Sequence, residues 1–78
     1  MTTLEALNEV FRTVFDLPDL QIAPEMTAGD VEGWDSLSHV NLILAVEMRF
    51  RIRFTPKELL VMRNIGDLLL AIDRKLAV

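Results

Sequence analysis

An all-α fold is predicted for this chain: a small four-helix bundle of three main helices and one short third helix, with a long loop between helices one and two. Three observations carry that prediction. Apolar residues recur at intervals of three and four in three separate segments, the spacing that lines one face of a helix. Strand-type alternation is confined to the brief run Arg51-Ile52-Arg53-Phe54. Three helix starts are marked by capping residues followed three positions later by an acid: Thr2 with Glu5, Thr55 with Glu58, and Asn64 with Asp67.

In the first segment Leu4, Leu7, Phe11, Val14 and Phe15 share a face, and Pro18 bounds a helix from about Thr3 to Asp16. Residues 17–35 contain Pro18, Pro24, Gly29 and Gly33 and show no periodicity. Unstructured connections above about 12–15 residues are uncommon and often functional. Leu20, Ile22, Met26 and Val31 are expected to pin this loop across the helix ends. The second helix begins at Asp35-Ser36 and carries Leu37, Val40, Ile43, Leu44 and Phe50, with Leu42, Val46 and Met48 widening its apolar face. That breadth predicts a central helix touching neighbours on both flanks, with Leu37 packed inward. Thr55-Pro56-Lys57-Glu58 then opens a short helix, with proline at its first position. Ile65, Leu68, Leu69, Ile72 and Leu76 define the last helix, and Arg74 and Lys75 suit its negative end.

Composition narrows the possible functions. The 78 residues are read as one domain, 1–78, and 51% of them are apolar, enough for a packed core. Cysteine is absent, so any thiol chemistry needs a borrowed thiol. A net charge of −4 disfavours nucleic acid as a partner. Residues 1–35 hold eight acids against Arg12 alone, −7, whereas 36–78 hold four acids against seven bases, +3. The N-terminus shows no secretory pattern, and the longest apolar runs, 42–46 and 68–72, fall far short of a membrane span. A cytoplasmic monomer without membrane insertion is expected.

Ser36 lies where the long loop meets the central helix. By itself, Asp35-Ser36-Leu37 fits a helix start with the serine as ordinary N-cap. A helix start also attracts phosphate through free amides and the dipole, and both readings predict the same local geometry.

Gly33-Trp34-Asp35-Ser36-Leu37, followed by Val40, Leu42, Ile43, Glu47 and Phe50, resembles the phosphopantetheine attachment region of acyl carrier proteins of the free-standing bacterial type. The likeness extends over essentially the whole chain in length, motif position and helix order. It implies that a phosphopantetheinyl transferase uses coenzyme A and Mg²⁺ to place a 4'-phosphopantetheine arm on Ser36. Acyl groups would then ride as thioesters on the arm's thiol, presented to acyl-loading and acyl-transfer enzymes. The carrier itself would not be an enzyme. The resemblance gives Asp35 a part in Mg²⁺ binding or transferase orientation, and makes Leu37 a transferase contact alongside its packing role. It also implies an acyl pocket near Ile43, Val46, Phe54, Leu59 and Met62.

Some features depart from the family pattern. Many fatty-acid carriers have an acidic second helix, whereas this one offers Glu47 alone beside Ser38, His39, Asn41, Met48 and Arg49. The acids lie instead in the preceding loop: Glu25, Asp30, Glu32 and Asp35. A dedicated pathway with its own partner enzymes is therefore expected. Glu32 stands where a leucine is usual, with Val31 taking over its packing. The loop's spacing matches no calcium-binding loop. His39 is expected to face solvent near the arm, and Trp34 to anchor the loop end. An aminoacyl, peptidyl or D-alanyl carrier is the near alternative, although Asp35 before the serine favours the acyl form. An unmodified helical interaction module is the more distant one. An enzyme is excluded by size and by the lack of a convergent nucleophile, base and oxyanion arrangement.

Overall fold

The computed structural model describes residues 2–77. Its elements are α1 (Thr3–Phe15), α2 (Ser36–Phe50), α3 (Pro56–Leu60) and α4 (Ile65–Leu76), with a single 3-10 turn, Ala28–Asp30, in the long loop. The expected all-helical architecture is present, and the alternating run 51–54 forms no strand.

The helix starts follow their capping residues. Thr2 Oγ1 accepts from the Glu5 amide (3.1 Å), Thr55 Oγ1 from the Glu58 amide (3.2 Å), and Asn64 Oδ1 from the Asp67 amide (2.8 Å). α1 stops one residue before the expected boundary. Its terminator is Asp16 in the left-handed conformation (φ 53°), whose N–H returns to the Arg12 carbonyl. Pro18 follows a helix that has already closed.

α1 packs against α2 and α4. The core combines Leu7, Val10 and Phe11 of α1, Leu42, Ile43 and Val46 of α2, and Ile65, Leu68 and Ile72 of α4. The loop adds Ile22 and Val31 from above, while Leu20 and Met26 pack half-buried against the same cluster. Its backbone is paired on both sides. The Leu20 carbonyl accepts from Asn8 Nδ2 (3.0 Å) and Arg12 Nε (2.6 Å), and the Ile22 amide donates to Asn8 Oδ1 (2.6 Å). At the other end the Ile65 and Gly66 amides donate to the carbonyls of Met26 (2.9 Å) and Pro24 (2.7 Å). α3 buries no residue fully. Half-buried Leu59, a Glu58–Lys75 ion pair (2.9 Å) and Lys75 over the Phe54 ring (5.5 Å) tie it to α4.

The structure corrects the expectation of a central, two-flanked α2. Leu37 is 82% exposed, Met48 81%, Val40 58% and Leu44 52%. Successive residues turn by about 100°, which places Leu37 about 180° from Val46, on the side away from the core. A broad apolar surface on this helix therefore means one packed face and one bare face. No helix among the described residues is long and apolar enough to cross a membrane.

Leu42→Ala, at a fully buried site, is expected to cost about 2–5 kcal/mol in urea unfolding. Leu37→Ala is expected to stay within about 0.5 kcal/mol of the parent, so a loss comparable to that of Leu42→Ala would contradict the exposed placement.

Candidate functional site

The loop end and the first turn of α2 form a single hydrogen-bonded unit. Gly33 has a positive φ of 87°, a conformation that a side chain would strain. Its carbonyl accepts from Ser38 Oγ (2.7 Å), and Ser38 Oγ in turn accepts from the Asp35 amide (2.8 Å). Asp35 Oδ1 accepts from the amides of Leu37 (3.0 Å) and Ser38 (2.9 Å). Asp35, not Ser36, is thus the N-cap of α2.

That assignment separates readings which sequence left together. Ser36 is the first helical residue, exposed, and its hydroxyl takes no hydrogen-bond partner among the described residues. The expectation of free first-turn amides awaiting a phosphate is corrected as well, because the Asp35 carboxylate already occupies two of them. Those bonds, chiefly those involving Ser38, hold the Asp35 carboxyl below its usual range.

Beside Ser36 lies a cavity of about 440 Å³ between the start of α2 and the α3–α4 junction. Trp34, Asp35, Ser36 and His39 face Met62, Arg63, Asn64 and Leu68 across it. Arg63 is the only lysine or arginine in this lining. Of the five residues expected to form a pocket, Met62 alone lines it. Ile43 and Val46 are consumed by the core, and Phe54 and Leu59 pack half-buried against it.

Trp34 is the anchor expected, with its ring edge-on to Phe11 at 5.2 Å. His39 is not the solvent-facing residue expected. It is half-buried, lies nearly coplanar with Trp34 (ring planes 14° apart, centroids 6.0 Å), and accepts the indole N–H at Nδ1 (3.0 Å). Its position three residues after Ser36 was the available signal, since such pairs are neighbours on a helix surface. Arg63 and Asn64 carried no comparable signal, because only tertiary folding brings them to Ser36.

The acidic loop does not gather into a metal site, and no cluster of three or more metal-ligating side chains occurs among the described residues. Asp30 instead accepts from the Thr27 amide (2.9 Å), while Val31 is buried and Glu32 exposed.

A family model described as a phosphopantetheine attachment site matches residues 5–72, most of the chain and all of this site. The chain belongs to the acyl carrier protein family. An acyl carrier protein of Acidothermus cellulolyticus is 31% identical over 64 residues, covering 82% of this chain and 76% of that protein. The solution NMR structure of a holo acyl carrier protein from Geobacter metallireducens is 45% identical, with a TM-score of 0.91 over 99% of this chain and 88% of that one. An acyl carrier protein is a carrier rather than a catalyst, and its prosthetic group is 4'-phosphopantetheine. The site suits that group: an uncommitted hydroxyl opens onto a cavity with apolar walls at Trp34, Met62 and Leu68 and a cation at Arg63.

Acid should loosen this unit. The carboxyls of Glu5, Asp35 and Glu58, all held by capping bonds, lie below their usual values. Their contribution is fully present above about pH 4.5, where unfolded carboxylates are ionised, and is lost as pH falls through the depressed folded values. Urea midpoints measured from about pH 6 down to about pH 3 are expected to fall steadily at the acid end. Asp35→Asn, which keeps a good cap without the charge, should shallow that fall. A flat profile in the parent protein would contradict the assignment.

Proposed function

We propose that Ser36 Oγ is the attachment point of the 4'-phosphopantetheine arm. The observation that carries this reading is the exposed Ser36 hydroxyl, left without a hydrogen-bond partner among the described residues because Asp35 supplies the cap. In the transfer, Ser36 Oγ bonds to the phosphorus bearing the pantetheine half of coenzyme A. The pyrophosphate P–O bond breaks, the adenosine bisphosphate half leaves, and the serine proton passes to a base on a phosphopantetheinyl transferase. The arm's terminal thiol then holds acyl groups as thioesters, which suits a chain with no cysteine. Asp35 keeps the serine oriented through Oδ1 and leaves Oδ2 for the Mg²⁺ of the transferase reaction. Leu37, bare beside the serine, is a transferase contact rather than a core residue. Arg63 faces the phosphodiester across the cavity.

The reading extends to a dedicated biosynthetic pathway in the cytoplasm, with its own acyl-loading and acyl-transfer enzymes. Its support lies on α2. Glu47, the sole acid of that helix, accepts the Phe54 amide through Oε2 (2.8 Å), so even this charge is engaged within the fold. A basic surface evolved for an acidic helix finds little here to grip.

Incubation with coenzyme A, Mg²⁺ and a broad-specificity transferase is expected to add one phosphopantetheine by intact mass, with none added to Ser36→Ala. Absence of the gain on the folded parent, or its persistence in Ser36→Ala, would overturn the attachment site. In acyl-transfer assays with enzymes of a general fatty-acid synthase, the loaded carrier is expected to react well below a housekeeping carrier. Equal rates would remove the case for dedicated partners.

A further inference from the structure

A second groove lies at the far end of α2 from Ser36. Its volume is about 420 Å³, and its lining is Leu44, Glu47, Met48, Arg51, Ile52 and Arg53. Leu44 and Met48 are exposed and Ile52 half-buried, so the floor and one wall are apolar. With Leu37 and Val40 they continue the bare stripe of α2 back to the attachment end.

The charge at this groove is cationic. Arg51 and Arg53 line it, and the only acid present, Glu47, has its carboxylate engaged by the Phe54 amide. Arg51 also occupies a position where glycine is the unstrained choice. It closes α2 in the left-handed conformation (φ 57°), with its N–H on the Glu47 carbonyl. A long cationic side chain is thus held at the groove against local backbone preference, on a backbone with fixed direction.

We propose that this groove is the docking site for a partner enzyme's surface element in which a bulky apolar side chain is flanked by carboxylates. The apolar side chain enters between Leu44, Met48 and Ile52, and the carboxylates meet Arg51 and Arg53. The charge distribution of the whole chain selects this occupant. The acidic loop repels an acidic partner from residues 25–35, and the net positive half draws it to the groove. A partner seated there holds the carrier in one orientation. The stretch from Met48 back to Ser36 spans about 18 Å along the helix at about 1.5 Å per residue, which fixes how far the attachment point lies from the grip.

This inference deepens the carrier reading, and its significance rests on that reading, but its test does not depend on the arm. The Ser36→Ala protein, which cannot be modified at that serine, is titrated with two synthetic amphipathic helical peptides sharing one leucine pattern. One peptide bears glutamates beside the leucines and the other lysines, and binding is followed by backbone amide NMR shifts. The glutamate peptide is expected to move the amides of Leu44, Met48, Ile52 and Arg53, to bind at least about tenfold more tightly, and to lose that preference as salt rises. Arg51→Glu/Arg53→Glu, with unchanged helicity by circular dichroism, should reverse the preference. Met48→Ser should weaken both peptides while leaving the preference intact. Equal or tighter binding of the lysine peptide, shifts centred on residues 25–35, or no binding by either peptide would overturn the proposal.

Discussion

A long irregular segment can lie over an apolar core only if its backbone polar groups find partners one by one. In this chain α1 and α4 supply them from opposite sides. Asn8 and Arg12 reach up to Leu20 and Ile22, and the first amides of α4 close on Pro24 and Met26. The second set meets two needs together, since those amides would otherwise lack partners at a helix start. Gly66 eases the approach: a Cβ there would stand a tight 3.1 Å from the Pro24 carbonyl oxygen. With residues 20–26 of the loop held from both sides, Trp34 and the start of α2 come to face Asn64 and Leu68. The cavity beside Ser36 is the space left between them.

Within that frame, the helix cap and the proposed attachment fall to adjacent residues, two tasks that a single serine cannot perform together. A capping hydroxyl is committed to a backbone amide, whereas a nucleophilic one must be free to change its bonding. Asp35 takes the cap through one carboxylate oxygen, Ser38 locks the turn from the third helical position, and Ser36 remains uncommitted. The positive φ of Gly33 lets the chain turn sharply into this arrangement.

Sequence pattern revealed three of the helix starts, which are decided within a few residues. The caps at Thr2, Thr55 and Asn64 depend on neighbours three positions away, and each formed as the pattern implied. The motif at 33–37 pointed to the candidate site. Its internal roles were less legible, because a carboxylate and a hydroxyl in adjacent positions compete for the same amides, and only backbone geometry decides between them. Leu37 misled because hydropathy does not say which side of a helix is covered; α1 and α4 cover one side of α2 and leave Leu37 on the other. The nearness of His39 to Ser36 was legible from spacing, but its bond to Trp34 and the place of Arg63 were not, since they come from Trp34 folding back onto α2 and from the α3–α4 junction closing the cavity.

The aromatic pair at the loop end has a practical consequence. The chain contains one tryptophan and one histidine, and the two are hydrogen-bonded on the wall of the cavity beside Ser36. Indole emission responds to both solvent access and a neighbouring imidazole, and no second tryptophan dilutes the signal. On the proposed attachment at Ser36, an arm and cargo folding into this cavity would change the surroundings of Trp34, so its fluorescence would distinguish that state from one extended into solvent. A carrier with this arrangement can be watched handing over its load without a label on either the protein or the acyl chain.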